Sequence, residues 1–135
     1  MGKFDDLPEI RRRGLETMEE VYGFEMSDGT GDFFRYTADH LFGDIWNRPG
    51  LSVRDRRLLL IGLLAGRGYA DVLGIQVPAA YANGELDDDA LREVVLMICH
   101  YAGWPDGARL NHIVEDTIGK AQRAREKAAA SESGE

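Results

Sequence analysis

Residues 52–65 read SVRDRRLLLIGLLA, and the change of character along this stretch decides the fold. Ser52 with Asp55 three residues on resembles a capping box, with Asp where Glu or Gln is usual, so a helix starts here. From Leu58 to Ala65 that helix is apolar on nearly every side. A small domain hides such a helix only by surrounding it with other helices or with another subunit. The run is far shorter than the roughly 20 apolar residues of a bilayer span. With no charged-then-apolar leader ahead of it, the expectation is a cytoplasmic protein with no membrane partner.

Upstream, Asn47-Arg48-Pro49-Gly50 stops an earlier helix. Its apolar set, Phe33, Phe34, Ala38, Leu41, Phe42 and Ile45, predicts one continuous helix from about Asp32 to Trp46. Ser27 to Gly31 has a loop composition, and before it Pro8 to Tyr22 reads as a first helix with proline near its start and Gly23 at its end.

Downstream, Ala70, Leu73, Val77, Ala80 and Tyr81 define a helix over about Tyr69 to Asn83, with a bend expected between Gly74 and the interior Pro78. Asp87, Asp88 and Asp89 suit the start of a fifth helix, where the dipole favours carboxylates, and it continues through Leu91, Val94, Val95 and Ile98 to Tyr101. Gly103-Trp104-Pro105 breaks it before a last helix carrying Leu110, Ile113, Val114, Thr117, Ile118 and Ala121. No alternating β-branched stretch is present, so the class is all-α in about six helices. The 135 residues, 44% of them hydrophobic, suffice for a single domain over residues 1–127, with a disordered tail over residues 128–135.

A formal charge of −8 disfavours nucleic acid as a partner. The cluster Arg11, Arg12 and Arg13 sits among Asp5, Asp6, Glu9 and Glu16 and reads as a solvated helix face or an interface edge. Cys99 is the single cysteine, so the chain has neither an intrachain disulfide nor a CxxC pair, and the residue suits a small core position. His40, His100 and His112 lack metal-ligand spacing, so no metal and no cofactor is expected.

Several segments taken together resemble the carboxymuconolactone decarboxylase-like family, which includes alkylhydroperoxidase D-type proteins. They are Arg13-Gly14 with Tyr22-Gly23, the block from Phe42 to Leu51, Arg56, Asn83-Gly84, and Tyr101-Ala102-Gly103-Trp104-Pro105. The similarity spans roughly Ile10 to Lys120. It implies an antiparallel helical hairpin core packed in trimers or hexamers, with a small-molecule pocket often completed by an adjacent subunit.

The resemblance also locates departures. The peroxidase branch uses a glutamate, a CxxC pair and a histidine; those positions hold Arg57, Tyr69, Val72 and Gln76. A thiolate relay needs each part, so dithiol peroxidase activity is not expected, and Cys99 lies on a different helix. Decarboxylase-type members often carry two histidines where this chain has Gln76 and Met97.

Arg57 suits bidentate binding of a substrate carboxylate, and equally an ion pair with Asp55 or Asp44 at the surface or between subunits. Tyr69 and Gln76 are hydrogen-bonding candidates, Trp104 a stacking or packing residue like Trp46, and His100 the first candidate for proton transfer, although a buried face of Val94, Val95 and Ile98 would turn its side chain to solvent. The leading expectation is decarboxylation or proton transfer on a small carboxylate or lactone, in a homo-oligomer with a small acidic ligand. The alternative is a non-catalytic small-molecule-binding or assembly protein of the same fold. A third reading, thiol peroxidase activity through Cys99 alone, ranks last.

Overall fold

All the regular secondary structure among the described residues, 2–134, is helical in the computed structural model of the chain. The helices are α1 (Glu9–Tyr22), α2 (Asp32–Arg35), a π-helical segment (Tyr36–Phe42), a 3-10 turn (Ile45–Asn47), α3 (Val53–Gly66), α4 (Ala70–Ala82), α5 (Asp88–Tyr101) and α6 (Trp104–Ser133). The chain divides into two units, residues 1–60 and residues 61–135.

In the first unit α1 packs against the π-helical segment. Leu15, Met18, Val21, Ala38, Phe42 and Trp46 form its core, joined by Phe4 from the N-terminal segment. Phe42 stacks on Trp46 at 6.0 Å and meets Tyr22 at 5.3 Å, so the aromatic residues tie α1 to the turn that ends the π segment.

The helix expected over Asp32 to Trp46 runs unbroken only to Phe42, changing from α to π at Tyr36, and a separate 3-10 turn follows at Ile45–Asn47. The reason lies in the approach of α1: a Cβ on Gly14 would stand only 1.8 Å from the Ala38 carbonyl oxygen, so two backbones touch there. The wider π turn accommodates this contact and lets the Ala38 carbonyl accept from the Gly43 N–H at 2.9 Å. Asn47 then secures the last turn, its side-chain amide donating to the Phe42 carbonyl at 2.7 Å and to Thr17 Oγ1 at 3.0 Å.

The arginine cluster on α1 separates by role. Arg11 turns inward and binds Asp39 at 2.5 Å and Asp28 at 2.7 Å, with only 17% of its side chain exposed, while Arg13 stays at the surface beside Glu9. Arg11 is therefore a latch between α1, the 28–29 loop and the π segment rather than part of a solvated face.

In the second unit α6 packs against both α5 and α4. Its core includes Leu73, Val77 and Ala80 of α4, Leu91, Val95 and Cys99 of α5, and Leu110, Val114 and Ile118 of α6. Gly107 makes the α5–α6 approach possible, since a Cβ there would lie 2.3 Å from Cys99 Sγ. The Asp87 side chain caps α5 by accepting from the Ala90 N–H at 2.9 Å, as the aspartate run predicts. Ser52 likewise accepts from the Asp55 N–H at 3.0 Å at the start of α3.

Helix α6 continues to Ser133, through most of the stretch expected to be a disordered tail. Residues 122–134 are all exposed, so burial does not hold this stretch helical, and Arg125 reaches α4 only through the Tyr81 hydroxyl at 3.5 Å. Ala128, Ala129 and Ala130, with Arg, Glu and Lys before them, are strong helix formers that extend a helix already nucleated by its packed half.

Candidate functional site

Arg57 belongs to the first unit and is fully buried on the first half of α3. Its Nη1 donates to the Val21 carbonyl at 2.5 Å. Val21 stands in the last turn of α1, where carbonyls lack helical donors and the dipole favours a cation. The side chain thus joins α3 to the end of α1 from the interior, which corrects the expectation of a surface position for this residue. Its neighbour Arg56 reaches the Arg48 carbonyl at 2.8 Å.

The other candidates lie in the second unit. The α3–α4 loop runs beside the α5–α6 turn: a Cβ on Gly66 would meet Ala102 at 3.9 Å, and one on Gly68 would meet Asp106 at 3.6 Å. This places Tyr69 and Trp104 at one end of the unit. Trp104, 62% exposed, meets the His100 ring edge-on at 5.8 Å. Tyr69 is exposed and lies under the Arg67 guanidinium at 5.4 Å. Gln76 is buried two turns further along α4, on the side that carries Leu73 and Val77.

His100 is exposed, and its Nδ1 lies 2.7 Å from the Leu96 carbonyl oxygen. A carbonyl can only accept, so Nδ1 carries the hydrogen and Nε2 is the nitrogen left to take or return a proton. Around it, Leu96, Met97 and Tyr101 of α5 and Trp104 at the start of α6 are 49%, 60%, 86% and 62% exposed, a group of apolar side chains facing away from the core. Trp46, by contrast, is core.

Two hollows in the second unit lie away from these residues. One of about 380 Å3 is bordered by Gly74, Pro78, Tyr81, His112, Asp116 and Lys120. The other, about 520 Å3, is bordered by Ala70, Asp71, Ala108, Arg109, His112 and Ile113. Sequence reasoning missed this face because it is assembled from two helices about 40 positions apart, each with an unremarkable pattern. In the first unit a hollow of about 370 Å3 is lined by Arg13, Arg35, Tyr36 and His40 among others. No helix among the described residues is long and apolar enough to cross a membrane.

Comparison with known proteins bears on this arrangement. The chain is 31% identical over 115 residues to the 4-carboxymuconolactone decarboxylase of Acinetobacter baylyi, covering 79% of this chain and 85% of the relative. It is 34% identical over 122 residues to the nitrosuccinic acid decarboxylase npaB of Metarhizium robertsii, covering 82% and 85%. The profile of the carboxymuconolactone decarboxylase family matches residues 31–116, a span that runs from α2 into α6. The chain therefore belongs to the carboxymuconolactone decarboxylase family.

Proposed function

We propose that this protein is a decarboxylase of a small carboxylate or lactone metabolite that works as a cytoplasmic homo-oligomer, a trimer or hexamer. The observation that carries the reading is that two relatives matched over most of their length are both named as decarboxylases, one of a carboxylated lactone and one of nitrosuccinic acid. The exposed apolar group of Leu96, Met97, Tyr101 and Trp104 supports the oligomer, because a lone chain would leave it in water.

In this reading the site is carried by the second unit, and Arg57, buried against the Val21 carbonyl in the first, serves the fold rather than the substrate. Tyr69 and Gln76 hydrogen-bond the substrate, and Trp104 packs on it. His100 handles the proton. When the C–C bond to the departing carboxylate breaks, its electron pair stays on the substrate carbon and CO2 leaves. The imidazolium form of His100 gives its Nε2 proton to that carbon, and the exposed ring reloads from solvent.

The test is CO2 release from a panel of carboxylated lactones and small dicarboxylic acids. We expect turnover by the wild-type chain and a loss of roughly 100-fold or more for His100→Asn. Turnover unchanged in both His100→Asn and Trp104→Ala would sink this assignment of the site.

The burial of Arg57 against a backbone carbonyl favours a second reading, a non-catalytic small-molecule-binding or assembly protein. Retained or titrated acidic ligand without CO2 release across the whole panel would decide for it.

A further inference from the structure

We infer that α6 pairs with α6 of a second copy of this chain, antiparallel and about a two-fold axis that passes between His112 and Ile113. The starting point is the face of α6 that carries Asp106, Arg109, His112, Ile113, Asp116 and Lys120. At 100° per residue these six fall within about 120° of one another, clear of Leu110, Val114 and Ile118, which face the core. Arg109, His112, Asp116 and Lys120 are all exposed.

The charges on this face alternate in an order that is complementary to its own reverse. Asp106 and Arg109 precede the His112–Ile113 centre, and Asp116 and Lys120 follow it. Turning the helix end for end about that centre sets Arg109 against Asp116 of the partner subunit, and Asp116 against Arg109 of the partner subunit. Lys120 then falls within one position of Asp106 of the partner subunit. A two-fold contact uses one patch on both copies, so every such pair occurs twice. A parallel pairing would instead set like charges against each other.

The shape of the surface agrees with the charge order. The two hollows between α4 and α6 share His112 and Ile113 and lie on either side of them. Ala70, Gly74 and Pro78, small or side-chain-poor residues one turn apart, form the middle of their α4 wall and leave room for side chains of a second helix, with Asp71 beside Ala70 and Tyr81 at the far end. In the ion pairs within the chain, Arg109 with Asp106 at 2.7 Å and Asp116 with Lys120 at 2.9 Å, all the side chains but Asp106 are about half exposed or more, the kind that re-pair at little cost. This pairing is independent of the reaction proposed above.

The experiment is native mass spectrometry with sedimentation velocity on the full chain, comparing wild type, Arg109→Asp, Asp116→Arg and the double charge swap. We expect either single variant to halve the assembly mass, or to raise the dissociation constant of the pairing roughly tenfold or more. The double swap restores the wild-type mass. Each single variant breaks one of the two ion pairs within the chain and the double swap breaks both, so recovery in the double swap cannot come from those pairs and reports contacts between copies. A short bis-maleimide should also join His112→Cys chains into a dimer on a denaturing gel, with the buried Cys99 replaced by serine in both the test and the control. A monomeric or trimeric wild type, neither of which holds a two-fold, single variants that assemble like wild type, a double swap no better than the singles, or no cross-linked dimer would each overturn the inference.

Discussion

The Arg57 guanidinium reaches from α3 to the Val21 carbonyl at 2.5 Å, closing the C-terminal end of α1 with a buried cation. A carbonyl in the last helical turn has no helical donor of its own, and in a buried place it needs one from elsewhere. Replacing Arg57 with methionine keeps much of the volume and removes the donor. We expect a loss of about 2–4 kcal/mol in urea unfolding, with Arg57→Lys recovering part of it. If Arg57→Met unfolds at the wild-type midpoint, the contact has no structural weight.

Gly14 admits no side chain, because the Ala38 carbonyl oxygen occupies the place of its Cβ. Gly14→Ala should therefore cost about 3 kcal/mol or more, despite the better helix propensity of alanine. Thermal unfolding monitored by circular dichroism measures it. A gain in stability would mean that α1 and the π segment can separate freely.

Asp87 caps α5 through the Ala90 N–H, and its neighbours Asp88 and Asp89 make no such bond to that amide. Asp87→Ala should lower stability by about 1 kcal/mol, and Asp89→Ala by much less. Equal effects of the two substitutions would show that charge alone, without the cap geometry, sets the contribution.

Acid should destabilise the first unit in a defined way. Glu19 is held below its ordinary 4.5 by its hydrogen bond with Lys3 and then by the Met26 N–H, and Asp28 is held below its ordinary 3.8 by Arg11. Both folded values lie below the unfolded ones. Their stabilisation is complete above the ordinary values and is lost as the pH falls through the folded ones. The melting temperature should hold from neutral pH to about pH 5 and fall below about pH 4. Glu19→Gln should lower the neutral-pH value and flatten the acid slope; an unchanged slope would remove Glu19 from the account.

Much of the fold was legible because its signals are local. Ser52 and Asp87 announce helix starts by their own side chains, and the spacing of Leu73, Val77 and Ala80 carries the buried face of α4. The π turn around Ala38 was not legible, since its cause is Gly14, some two dozen positions upstream and silent in any window around that turn. The same limit applies at the site. The exposure of His100 follows from α5 periodicity, but the burial of Arg57 depends on where α1 ends, which no pattern within α3 records. The helicity of residues 128–133 was missed for another reason: a composition unable to build a core can still hold a helix.

Cys99 is the chain's single thiol, and it is sealed between α5 and α6 where Gly107 comes within touching distance of its sulfur. A thiol so placed reacts with a probe in solution only while the two helices part. Its labelling rate, followed over denaturant concentration, therefore reads the opening frequency of that junction directly from the unmodified protein. The fold thereby contains its own clock for the breathing of its second unit.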